Sequence, residues 1–255
     1  MAANAEKTVA SWRKPNGILA RFAVLSILAA SAMVWADAWI ARQPLLQFGT
    51  WLHTLSIRLT DLGRAEPYYL IFCFGLAFSW WRRRASLAAE FWSRWFAILT
   101  GGLAGLVATG LFTQLAKHVI GRARPYAEAA LTGHAFSPLT TNYEFHSLPS
   151  GHAQVLFSFA AFLCALIQER LILSDKVTNA ARSILPIVIV TAAAVLTSTR
   201  VFTLNHWLSD VILGATLGFV GSRWAIDKVG RSVYAKLSAV DSEKNNSGAA
   251  AQAQL

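Results

Sequence analysis

His206 and Asp210 stand four residues apart in a stretch that reads as helix, so their side chains share a face and can touch. A carboxylate that accepts from one imidazole nitrogen fixes the tautomer and leaves the other nitrogen free, which is how a nucleophile or base is prepared. Thr199-Arg200 lie just ahead of this pair. The plainer reading is a His–Asp pair that ties two helices together. A second cluster, Pro149-Ser150-Gly151-His152, opens an apolar run. Ser150 is suited to cap that helix, whose N-terminus presents free N–H groups to an anion. Gly151 lets an anion approach the backbone, and His152 would stand beside it with a proton to donate. A plain cap with an interfacial histidine is the alternative. A third cluster runs from Lys117 to Arg124-Pro125. Lys117 and Arg124 are seven residues apart, two helical turns, so both can face one dianion from a helix end. Snorkelling interfacial cations would look the same.

The elements that must position these clusters are apolar. The chain is 55% hydrophobic and 14% charged, against about 25% charged in soluble chains, so a membrane protein is expected. Six apolar runs fall at about residues 20–41, 67–81, 95–117, 150–168, 183–200 and 206–226; ~20 residues cross a bilayer, and the second run is short unless its flanks contribute. The fold class expected is all-α, a polytopic membrane protein with six transmembrane helices in one bundle. With the N-terminus cytoplasmic, 16 of the 23 Lys and Arg fall on the cytoplasmic side, including the Trp80-Trp81-Arg82-Arg83-Arg84 anchor. Lys117, His152, Arg200 and His206 then all come to the opposite, periplasmic or outer face. That shared placement favours one polar pocket over three unrelated features.

The expected organisation is a cytoplasmic segment over 1–19, one transmembrane domain over 20–228, and a cytoplasmic tail over 229–255 whose end, from Ser242, has the composition of disorder. The first apolar run extends beyond signal-peptide length and is read as a retained helix. The net charge of +10 follows from the cytoplasmic loops and calls for no nucleic acid. Cys73 and Cys164 sit in apolar runs as small hydrophobes. The outer loop from Arg122 to Pro149 is long enough to gate a site, or to be an ordinary mobile loop. No internal repeat is evident.

Lys117-x6-Arg124-Pro125, Pro149-Ser150-Gly151-His152 and Thr199-Arg200-x5-His206-x3-Asp210 together resemble the signature of the type 2 phosphatidic acid phosphatase superfamily, with Thr199 where the family usually has Ser. The resemblance implies an integral inner-membrane enzyme that removes phosphate from a lipid without metal or other cofactor. It implies that His206 attacks phosphorus, Asp210 orients it, and His152 protonates the leaving oxygen and then activates water. Lys117, Arg124, Ser150, Gly151 and Arg200 would hold the phosphoryl oxygens. Phosphoryl transfer needs positioning and charge neutralisation above all, which three fixed cations can supply.

The partner expected is a phosphorylated lipid; oligomeric state is not legible. The same residues would serve a lipid-to-lipid phosphotransferase, while a head-group transporter explains the cations but not the His206–Asp210 pair together with His152. His118, Arg122, Tyr126, Glu144 and His146 are expected to be interfacial or solvated, as are Asp37 and Asp61; His53 and His134 have no assigned role.

Overall fold

Apolar runs of this length can satisfy their backbone in lipid only as helices. The computed structural model, which describes residues 18–43, 46, 48–85, 88–131, 135–172 and 178–252, is helical throughout, apart from turns and one isolated bridge between Arg122 and Phe136. The helices are α1 (Ile18–Ala41), α2 (Trp51–Thr60), α3 (Glu66–Ala85), α4 (Ala89–Ile120), α5 (Glu128–Leu131), α6 (Gly151–Gln168), α7 (Asn179–Phe202), α8 (Leu208–Ala225) and α9 (Arg231–Gln252). The expected N-terminal segment lies outside the described residues up to position 17, as does His134.

Each of the six apolar runs falls on a helix. Among the described residues, α4, α6 and α7 are long and apolar enough to cross a membrane; α1 is a fourth if Phe22–Ser31 and Met33–Ala41, which meet at 53°, form one span. Charged residues at the ends of α3 (Glu66, Arg82–Arg84) and of α8 (Asp210, Arg223) shorten their apolar lengths.

Helix α6 is the centre of the bundle. In its most apolar stretch 72% of positions are buried, against 11% in α7, which marks α7 as peripheral. It packs on α4, α7 and α8, and α8 packs in turn on α1 and α4. One core joins Phe72, Ile98, Leu106, Val155 and Phe162; a second joins Leu156, Phe157, Ala193, Val211 and Ala215. Without water to drive helices together in lipid, close backbone approach is the main attraction, and small residues permit it. A Cβ at Gly214 would stand 2.3 Å from the Ser150 carbonyl oxygen, and one at Gly218 2.1 Å from that of Gln154. These two glycines bring the start of α8 against the start of α6, where the histidine clusters lie.

Caps fix the helix ends that matter. Ser150 Oγ accepts from the Ala153 N–H at 3.5 Å and starts α6. Gly121, at φ +58°, ends α4 with its N–H on the Lys117 carbonyl. This left-handed residue turns the chain back over the bundle end.

Two elements depart from expectation. The stretch between the first two apolar runs, read as an outer loop, contains α2, which Thr50 caps and which lies on α7. At ten residues it is too short to register as a span. The C-terminal stretch is helical through Gln252, past Ser242, where disorder was expected; its alanines favour helix. This helix also packs on the bundle, through the buried Tyr234 and an Asp241–Arg83 ion pair at 2.6 Å.

Gly218→Leu should destabilise the protein by about 1–3 kcal/mol or more, read by SDS-induced unfolding in mixed micelles. Gly110→Ala, whose Cβ meets nothing closer than 3.7 Å, should leave that transition in place.

Candidate active site

Lys117, Arg124, Gly151, His152, Arg200 and His206 all line one cavity of about 550 Å³ at the end of the bundle where α4 stops and α6 starts. The convergence expected from their order in the chain is therefore present. The route to it differs. Lys117 and Arg124 do not share a helical face, because α4 ends at Ile120; Gly121 sends Arg122 to Pro125 back as an extended strap.

His206 sits in the turn between α7 and α8, outside both helices, and is 2% exposed. Its Nδ1 lies 2.7 Å from the Ser147 carbonyl oxygen. A carbonyl only accepts, so Nδ1 carries the proton and Nε2 keeps its lone pair. Burial, reinforced by the positive charges of Lys117, Arg200 and Arg124, holds this ring well below the usual histidine range. It is neutral at physiological pH.

Asp210 does not make the contact expected of it. Its Oδ2 stands 3.8 Å from His206 Nδ1, and the hydrogen bond goes to Ser147 instead. Asp210 is fully buried and saturated: it accepts from Ser147 Oγ at 2.5 Å, the Trp207 N–H at 3.0 Å and Arg122 Nη1 at 2.6 Å. Ser147 thus links carboxylate and imidazole, its hydroxyl donating to one and its carbonyl accepting from the other. Ser150, expected among the phosphate ligands, is fully buried as the cap of α6 and does not line the cavity.

Arg122 and Asp37, expected to be solvated, are buried. Arg122 Nη1 also donates to Ser209 Oγ at 2.7 Å, and its Nη2 reaches Asp37 Oδ2 at 3.0 Å. Asp37 in turn accepts from the Ser209 N–H at 3.1 Å and from its hydroxyl. This network joins α1, the strap and α8 directly behind the cavity. Asp61 is exposed, as expected.

Of the three arginines that line the cavity, with Arg64 at its rim beside Glu66, Arg124 and Arg200 differ in what they have left to offer. Arg124 donates to the carbonyls of Tyr143 (3.2 Å), Asn205 (3.2 Å) and His146 (3.2 Å) and to Asn205 Oδ1 (3.4 Å), which uses four of its five N–H groups. Arg200 donates to Thr60 Oγ1 at 2.8 Å, and its buried Nε has no acceptor among the described residues. Lys117 Nζ lies 3.8 Å from where a Cβ on Gly151 would stand, beside the first turn of α6. His152 packs against Gly63, so tightly that a Cβ there would come within 2.7 Å of its ring.

The 122–149 segment is tied down at both ends. Ala123 N–H bonds Ala135 O, Arg124 N–H bonds Glu144 O and Ser147 N–H bonds Arg122 O. His146 is buried, lines the cavity and lies tilted against the His118 ring, 4.3 Å between centroids; Tyr126 and Glu144 remain exposed.

Sequence reasoning missed Asp37, Thr60, Gly63 and Ser147 and undervalued Arg122. For Asp37 a signal was available: a carboxylate inside an apolar run is costly and implies a partner. Arg122 was the matching cation. Thr60 and Gly63 carried no such mark.

A PAP2 superfamily family model matches residues 98–233. Lipid A 1-phosphatases of Rhizobium etli and Rhizobium johnstonii are each 32% identical over 114 residues, 44% of this chain and 42% and 40% of theirs. The matched region thus spans about two fifths of those curated relatives. A solved structure, a transmembrane PAP2 type phosphatidylglycerolphosphate phosphatase from Bacillus subtilis, aligns over 88% of this chain and 94% of its own, with TM-score 0.54 and 20% identity, and so shares the fold.

Replacing Asp37 with Leu strands Arg122 with half its counter-charge. The expected loss is about 3–5 kcal/mol, seen as a lower unfolding midpoint in detergent; an unchanged midpoint would mean that the network is solvated.

Proposed function

The chain belongs to the PAP2 superfamily, and from that premise we propose that it is an integral membrane phosphatase that hydrolyses a phosphate monoester or diphosphate on a lipid through a phosphohistidine on His206. The observation that carries this reading is His206 itself: Nδ1–H is held on the Ser147 carbonyl, which leaves the Nε2 lone pair free in a cavity lined by Arg64, Lys117, Arg124, Arg200 and an α-helix N-terminus.

In the first step Nε2 of His206 bonds to phosphorus as the bond from phosphorus to the lipid oxygen breaks. His152, which gains a proton once the bound phosphate dianion offsets the surrounding cations, delivers that proton to the leaving oxygen. In the second, His152 takes a proton from water, the water oxygen bonds to phosphorus and the P–N bond breaks. Inorganic phosphate leaves and both histidines are restored. Arg200, Lys117 and the Gly151 N–H face the phosphoryl oxygens, where the spread negative charge of the transition state needs fixed donors. Arg124 contributes the one N–H that has no acceptor among the described residues and holds Asn205, beside His206, in place. Asp210 acts through Ser147 rather than by touching the ring. The reaction needs no metal, since cations already stand where one would neutralise the phosphate.

The names of the relatives support a phospholipid or a phosphorylated saccharolipid as substrate. α1, α3, α4, α6, α7 and α8 would be the six helices embedded in the bilayer of the inner membrane. The Trp80, Trp81 and Arg82–Arg84 cluster, in which Arg84 stacks on Trp80 at 4.6 Å, would anchor the cytoplasmic end by the positive-inside rule. The cavity then opens at the outer face.

Phosphate release from a panel of purified lipids in detergent should fall by more than about 10³-fold in His206→Ala. Turnover that survives this change removes the proposed nucleophile. EDTA should leave the wild-type rate unchanged; inhibition reversed by a divalent ion would contradict the metal-free reaction.

A further inference from the structure

The cavity continues beyond the phosphate end, along the face of α4 that carries Lys117, Gln114, Thr113, Gly110 and Val107. Thr113 is anomalous on this face. A threonine buried in a helix ordinarily donates its hydroxyl to a carbonyl one turn back. Thr109, Thr197, Thr199 and Thr216 all do so here. Thr113 is 1% exposed, lines the cavity, and its Oγ1 has no hydrogen-bond partner among the described residues.

Two further polar atoms stand close by. A Cβ on Gly110 would lie 3.7 Å from the Tyr69 hydroxyl and 3.8 Å from Gln154 Oε1, so the bare glycine leaves a niche between them. The orientation of the Gln154 amide is fixed, because its Nε2 is near the Leu106 carbonyl (3.3 Å), Thr109 Oγ1 (2.7 Å) and Ser158 Oγ (3.1 Å). The oxygen is what remains for the cavity. Val107, Leu111 and Val155 continue the lining with hydrocarbon.

At 1.5 Å per residue, Thr113 lies about 6 Å along the helix from Lys117, and Gly110 about 10 Å. The order of chemistry from the phosphate end is therefore cations, then hydrogen-bonding groups, then apolar wall. Gln154 Oε1 only accepts, so it asks for an O–H or N–H on the ligand, and a carbonyl or a second phosphate would meet it unfavourably.

We propose that Thr113, Tyr69 and Gln154 form a specificity niche for a hydroxyl or amide N–H carried by the lipid within about two helical turns of the phosphorus. The proposal rests on the phosphatase reading and narrows its substrate class. An N-acylated amino-sugar phosphate presents such donors. A diacylglycerol phosphate presents only ester acceptors at that distance, which the Thr113 and Tyr69 hydroxyls can meet but the Gln154 oxygen cannot, and a polyprenyl diphosphate presents a phosphate and then hydrocarbon.

The test separates recognition from turnover. Binding of an N-acylglucosamine 1-phosphate lipid, a diacylglycerol phosphate and a polyprenyl diphosphate is compared by native mass spectrometry on full-length His206→Ala, with and without Thr113→Val. The ratio of kcat/KM between the first two lipids is measured in parallel on the protein with His206 intact. The amino-sugar lipid should bind about tenfold more tightly than either other, and Thr113→Val, which preserves shape and leaves Gln154 in place, should narrow the ratios. Tyr69→Phe should act in the same direction. Equal affinities, or ratios that Thr113→Val does not move, overturn the niche; His206-dependent phosphate release would then leave the phosphatase reading intact. A Thr113-dependent preference with no phosphate release from any lipid supports the niche and removes the phosphatase reading instead.

Discussion

Asp210 is a carboxylate with no exposure to solvent, and much of the architecture around the cavity is the set of contacts that makes it tolerable there. A buried charge without partners costs several kcal/mol, so every acceptor site on it has to be met. Arg122 reaches it from one end of the 122–149 segment and Ser147 from near the other, while Trp207 donates from the turn ahead of α8. Its backbone carbonyl also accepts from the Ser150 N–H and so fixes the start of α6. Through Arg122 and Ser209 the same cluster draws in Asp37 of α1. Four chain segments distant in sequence thus register against one side chain, and the two proposed reactive histidines stand on two of them.

This constraint also explains why the basic residues of the region are not equivalent. Arg122 neutralises buried carboxylates, and Arg124 serves mainly as a brace whose donors end on backbone carbonyls. Among the described residues Arg200 is held by one threonine hydroxyl, and its Nε has no acceptor. In the proposed reaction the anchored cations hold geometry and the open ones meet the phosphate. Because a braced arginine cannot swing to follow a ligand, the cavity is positive before substrate arrives, which is what electrostatic preorganisation requires.

The sequence carried the residues that line the cavity with unusual clarity, because Lys117, Arg124, His152, Arg200 and His206 fall where apolar runs begin or end. Periodicity located the long helices for the same reason. It did not reveal that α4 stops at Gly121, since Lys117 to Arg124 is also a plausible pair of helical turns; only the left-handed glycine distinguishes them. Nor did it reveal α2, whose ten residues lie below the length at which an apolar pattern registers. The Ser147 relay was illegible in principle. A spacing of four predicted that His206 and Asp210 would touch, but Asp210 opens α8 whereas His206 precedes it, so the i,i+4 geometry of a continuous helix does not apply.

That displacement has a chemical consequence. A carboxylate in direct contact with Nδ1 would favour the protonated ring even in the empty site. A carbonyl at 2.7 Å fixes the same tautomer with a weaker pull, while burial and the surrounding cations keep the ring neutral. A bound phosphate dianion would offset those cations just when attack on phosphorus places positive charge on the imidazole. Asp210, 3.8 Å away, would then act on that charge through space. In the proposed reaction the positive cavity therefore serves in both phases: it keeps the nucleophile unprotonated while the site is empty, and it is itself neutralised by the ligand it attracts.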